Sequence, residues 1–75
     1  MPVSYKQLLK IVNFYGYELK SQKGSHKKFS KNWKTVVIPQ HKELKPKTVL
    51  SILKQIANNE WLYYKDIIAT FKLKV

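Results

Sequence analysis

The sequence contains no cysteine and no arginine, has two glycines and three prolines in 75 residues, and sets four acidic side chains against fifteen basic ones. Without cysteine there is neither a disulfide nor a thiolate metal site, so the fold has to rest on packing and hydrogen bonds, as suits a reducing compartment. The missing arginine removes the side chain best fitted to grip guanine edges with two hydrogen bonds, so a base-reading surface is not expected. Gly16 and Gly24 are too few for a glycine-rich phosphate loop. The acids, Glu18, Glu43, Glu60 and Asp66, are scattered. With two histidines they offer no metal-ligand spacing and no carboxylate pair, so an enzyme built on this chain is expected to need no metal and no cofactor. Apolar runs are short, and Lys6 arrives before a signal-peptide core can form, which predicts a soluble, cytoplasmic protein with no membrane partner.

What remains is lysine and apolar material. All fifteen basic residues are lysines and the net charge is +11, while hydrophobic residues make up 44% and aromatics 13% of the chain. That apolar share is enough for a core and too much for a disordered basic tail. Residues 1–75 are expected to form one domain, and at this length only about 60–65% of the unfolded surface is buried on folding, so stability is marginal. The lysine density attracts polyanions by counterion release. Nucleic acid is therefore the first expected partner, ahead of an acidic protein and an anionic membrane.

Periodicity predicts the elements. Ser4 and Gln7 form a capping box with Val3 and Leu8 as its hydrophobic staple, and Leu8, Leu9, Val12 and Tyr15 recur at helical spacing up to Gly16. Tyr17 to Lys23 alternates as a half-buried strand does. Gly24 and Ser25 make a turn, and His26 to Lys31 forms a second strand anchored by Phe29. Lys31 to Lys34 connects to a third strand, the β-branched run Thr35–Ile38, which Pro39 stops. Gln40 to Lys45 reads as a polar connection. Pro46 then opens a helix whose apolar face carries Val49, Leu50, Leu53, Ile56 and Ala57, and Asn58 and Asn59 are expected to break it. From Glu60 onward, Trp61, Tyr64, Ile68 and Phe71 suggest a short third helix, although Tyr63, Tyr64, Ile67 and Ile68 also suit a strand. The expected class is α+β: helix, three-stranded antiparallel sheet, helix, with both helices on one sheet face and the other face open.

His26 and His41 are the only side chains that titrate near neutrality. RNA carries its own nucleophile, the ribose 2′-hydroxyl, so cleavage needs only a base for that proton and cations for the transition state. His26, after the Gly24–Ser25 turn and flanked by Lys23, Lys27 and Lys28, combines the two. A structural histidine and a solvated row of lysines are the plainer alternatives. Gly24 either admits a phosphate or merely serves the hairpin, Ser25 either donates to a phosphate or satisfies its own turn, and His41 either contacts a phosphate or is an exposed loop residue.

Five segments appear in an order that resembles HicA-type toxins of bacterial toxin–antitoxin pairs: KQLLKIV after Tyr5, G-Y-E-L from Gly16, Q-K-G-S-H from Gln22, V-V-I-P-Q-H from Val36 and S-I-L-K-Q from Ser51. The resemblance covers residues 4–57 and leaves 58–75 as a C-terminal extension. It implies a fold like that of double-stranded-RNA-binding domains, ribonuclease activity on messenger RNA (an mRNA interferase), a catalytic histidine at His26, and inhibition by a HicB-type antitoxin. The residues around that histidine, Lys23, Gly24, Ser25, Lys27 and Lys28, together with His41, are the expected RNA contacts on the local chemistry described above. Where family members usually have glycine before threonine, this chain has Lys47 before Thr48. In the extension, Trp61, Tyr63 and Tyr64 are expected to pack beneath the sheet, the alternative being an exposed patch for a partner. Two other functions fit the composition: a non-catalytic module that binds duplex RNA by shape, and an interaction protein for an acidic partner or lipid.

Overall fold

A computed structural model describes residues 3–75. In chain order it contains α1 (Tyr5–Phe14), β1 (Glu18–Lys23), β2 (His26–Lys31), β3 (Lys34–Pro39), α2 (Pro46–Glu60) and α3 (Tyr64–Thr70). The strands form one antiparallel sheet in the order β1-β2-β3, so the class is α+β with a short third helix, as expected.

α1 begins with the capping box the sequence predicts. The Gln7 amide donates to Ser4 Oγ at 3.2 Å and the Ser4 amide donates to Gln7 Oε1 at 2.8 Å, which satisfies two amides that the first helical turn leaves without partners. Val3 and Leu8 are both buried. Gly16 ends the helix at φ +88°, a conformation open to glycine, and Tyr17 turns back to donate its amide to Val12 at 2.9 Å.

In the sheet, Phe29 pairs with Val36 and Lys27 with Ile38, and Phe29, Val36 and Ile38 are buried against the helices. Side chains alternate along a strand, so His26, Lys28 and Val37 fall on the opposite, open face. All three are exposed. β1 departs from the expected half-buried pattern: every residue from Glu18 to Lys23 is exposed, Leu19 included. The helices pack chiefly on β3, the far edge of the sheet from β1, and a bulge between Leu19 and Ser21 breaks the alternation. Only Tyr17, just before the strand, reaches the core.

α2 also differs from expectation, running straight through Asn58 and Asn59 to Glu60. Asparagine is only mildly unfavourable within a helix, and here tertiary contacts outweigh it: Asn59 Nδ2 donates to the Thr35 carbonyl at 3.0 Å. The helix closes at Trp61, which takes the left-handed conformation (φ 60°), and Leu62 donates its amide to Ala57 at 2.8 Å. The expected short third helix starts at Tyr64. It buries Ile67, while Trp61 (92% exposed) and Tyr63 stand in solvent instead of packing beneath the sheet. The connection before α2 is not wholly polar either, because Leu44 is buried and ties it to the core.

Glu60 links the end of α2 to the rest of the molecule. Its Oε1 accepts from Lys31 Nζ at 2.6 Å, its Oε2 accepts from the Tyr17 hydroxyl at 2.8 Å, and Lys34 Nζ stands 3.8 Å away. Lys31 Nζ also donates to the Tyr15 carbonyl at 2.7 Å, which brings the end of α1 into the same cluster. Burial alone would raise the Glu60 carboxyl above its ordinary range. The hydrogen bonds from Lys31 and Tyr17 and the charges of Lys31 and Lys34 outweigh that and hold it below. The Tyr17 hydroxyl is pushed up to about 12, by burial first and then by its hydrogen bond to Glu60.

Two expectations follow for stability. Glu60→Gln should cost about 2 kcal/mol at neutral pH in urea unfolding, since it leaves Lys31 without its counter-ion. A carboxyl held low in the folded state stabilises the protein above its unfolded value and ceases to do so as pH falls. The difference between wild type and Glu60→Gln should thus close as the pH drops from the ordinary 4.5 through the lower folded value. Trp61→Gly should raise stability by about 1 kcal/mol, because it relieves a left-handed backbone at a side chain that buries almost nothing.

Candidate functional site

β2 begins at His26 directly after a two-residue turn, Gly24–Ser25, and Lys23 and His26 close that hairpin as a cross-strand pair. Gly24 has φ +60°, the conformation that favours glycine at the first central position of such a loop. A Cβ built at Gly24 would meet nothing within 4 Å, so the turn's backbone and not crowding selects this residue. On the other side of β2, His26 pairs with Pro39, the last residue of β3. The first residue of the central strand is thereby flanked by the ends of both neighbours.

The chain beyond β3 is held against this turn. Gln40 donates its amide to the Ser25 carbonyl at 2.6 Å, and His41 donates its amide back to Pro39 at 3.0 Å. This fold-back sets the His41 ring 6.5 Å from the His26 ring, centroid to centroid, with the planes inclined at 69°. Ser25 Oγ lies 3.3 Å from His41 Nε2. Fifteen residues apart in sequence, the two histidines share one site, and both are exposed.

A pocket of about 390 Å³ opens beside them, lined by His26, Pro39, His41, Glu43, Leu44, Lys45 and Thr48. Lys45 and Thr48 belong to the start of α2, whose N-cap, Lys45, makes no side-chain capping bond. On its other side His41 borders a groove with Tyr5, Lys6 and Lys42. Of the lysines expected here, Lys23 and Lys28 share the open sheet face with His26 and are exposed. Lys27 stands on the helix side of the sheet with its ammonium 5.5 Å from the centre of the Tyr5 ring. Lys31 and Lys34 are taken up by Glu60.

Sequence reasoning did not single out Glu43, Lys45 and Thr48. Nothing in their local pattern signals a site; the buried Leu44 and the start of α2 bring them there. Among the described residues, no cluster of three or more histidine and acidic side chains is arranged to hold a metal ion. No described helix is long and apolar enough to cross a membrane.

The family model described as HicA toxin of bacterial toxin-antitoxin matches residues 5–57, well over half of the chain. The chain belongs to the HicA toxin family. It is accordingly a toxin of the toxin–antitoxin kind, with an antitoxin as its general type of partner. No curated relative and no solved structure matches it. The segment matching the HicA model contains every residue of the pocket, whereas Glu60, the exposed Trp61 and α3 lie beyond it.

Because the turn needs a positive φ and nothing crowds Gly24, substitution there should act through the backbone alone. Gly24→Ala should lose about 1–2 kcal/mol in urea unfolding, and Gly24→Asn clearly less, since asparagine tolerates positive φ better than alanine does.

Proposed function

We propose that this HicA-family chain is a metal-independent endoribonuclease that cleaves messenger RNA in the cytoplasm, with His26 as its catalytic base, and that a HicB-type antitoxin silences it by covering the site. The observation that carries this reading is the placement of His26. It is an exposed imidazole on the open face of the sheet, beside Lys23 and Lys28 and at the mouth of the pocket. A single strand of RNA reaches it without any rearrangement of the core.

The chemistry needs little more. Neutral His26 accepts the proton of a ribose 2′-hydroxyl as that oxygen attacks the adjacent phosphorus, and the products are a 2′,3′-cyclic phosphate and a free 5′-hydroxyl. Lys23 and Lys28 on the open face, and Lys45 at the pocket, neutralise charge that grows on the phosphoryl oxygens. Gly24 and Ser25 bring backbone close to the strand, Lys27 adds positive potential from the helix side, and His41 contacts the phosphate. The order of helix, sheet and helix agrees with the duplex-RNA-binding shape that the family resemblance implies, and a surface rich in lysine suits recognition of backbone rather than bases.

Purified protein should cleave RNA undiminished by a chelator. His26→Ala should lower the rate by a factor on the order of 10²–10⁴ while keeping its affinity for a 2′-O-methyl RNA that cannot be cut. Unchanged cleavage by this variant removes His26 from the chemistry. Salt-sensitive binding by the wild type with no scission establishes the chain as a non-catalytic RNA-binding module instead.

A further inference from the structure

We propose that His41 is a second catalytic residue: an imidazolium that gives a proton to the departing 5′-oxygen while His26 takes one from the 2′-hydroxyl. This rests on the nuclease reading above and supplies the acid that reading lacks. A 5′-alkoxide is a poor leaving group, so a base at the 2′-oxygen addresses only half of the reaction. In an in-line displacement the attacking and leaving oxygens lie on opposite sides of phosphorus. A base and an acid that serve them must therefore stand roughly a phosphate's width apart.

The two imidazoles meet that requirement. Their centroids are 6.5 Å apart and both rings are exposed, so one phosphoryl group resting across their open edges can meet a nitrogen of each. His41 is also held in place, which a casual loop histidine need not be. Backbone hydrogen bonds from Gln40 to Ser25 and from His41 to Pro39 fix its main chain, and Ser25 Oγ sits 3.3 Å from Nε2. In the protonated ring Nε2–H donates to Ser25, which leaves Nδ1–H to face the leaving group. Ser25 thus becomes a positioning residue for the acid.

The step balances. The O2′–P bond forms and the P–O5′ bond breaks with its electron pair going to O5′, which takes the His41 proton, while His26 ends protonated and His41 neutral. Solvent then restores both rings. The groups that face His41 are Tyr5 and Lys6 from α1, Lys42 beside it, Glu43 and Lys45 from the connection to α2, and His26 from β2. A neutral base and a protonated acid together predict a bell-shaped dependence of kcat/KM on pH.

The test compares two RNA oligonucleotides cut at a site first mapped with the wild type: one normal, one carrying sulfur in place of the bridging 5′-oxygen. A thiolate leaves without a proton. His41→Gln should lower kcat/KM on the normal strand by a factor on the order of 10²–10³, lose the alkaline limb of the pH profile, and come within about threefold of wild type on the sulfur strand. His26→Ala should stay slow on both. Since His41 is exposed, thermal unfolding of His41→Gln should match the wild type. An equal deficit on both strands or no deficit at all overturns the acid assignment and leaves His26 in place. If instead His26→Ala cuts both strands like the wild type, it is the nuclease reading that falls.

Discussion

Phe29, Val36 and Ile38 have to leave water, and the two-residue period of a strand turns that need into the position of His26. Phe29 and Val36 face one another across the β2–β3 pair beneath the helices, and this burial fixes the register. His26 lies three residues before Phe29 and so points the other way, while Lys28, two residues on, points with it. A slip of one residue would carry the imidazole into the core and Phe29 into solvent. Apolar packing on one side of the sheet thus decides what the other side presents to a polyanion.

The second constraint lies at the opposite end of β2. Glu60 gathers Lys31, Lys34 and Tyr17, joining the last turn of α2 to the β2–β3 hairpin and, through Lys31, to the end of α1. A domain this small buries too little surface to be indifferent to one such cluster. The same contacts pair two lysines with a carboxylate, so the net charge of +11 overstates what is free to meet a polyanion at that end. Trp33 and Trp61, 98% and 92% exposed, flank this cluster and play no part in the core.

Between these ends the molecule separates its tasks. The hairpin turn at Gly24–Ser25 and the fold-back after Pro39 assemble chemistry from loop residues, and the sheet and helices supply a rigid base for it. Membership of the HicA toxin family places this arrangement in a toxin held in check by a partner. Both histidines are open to solvent, and the pocket beside them lies wholly within the segment that matches the family.

Much of this could be read from the chain. The capping box at Ser4, the left-handed Gly16 and the β-branched run of β3 are local patterns whose physics involves only near neighbours, and each appeared where the residues put it; the apolar stripe of α2 appeared too, with Ile52 buried where Leu50 was expected. His26 stood out because its type and its turn are likewise local. The exposure of β1, the passage of α2 through Asn58 and Asn59, and the solvent-exposed Trp61 and Tyr63 depended on which strand the helices cover and on a hydrogen bond to Thr35. The meeting of His41 with His26 was settled the same way, by backbone hydrogen bonds between segments fifteen residues apart, and such contacts leave no period in the sequence. The chain by itself determined the elements and the chemistry available to them; only tertiary packing decided which side chains would share a site, because proximity in space comes from burial across the whole core.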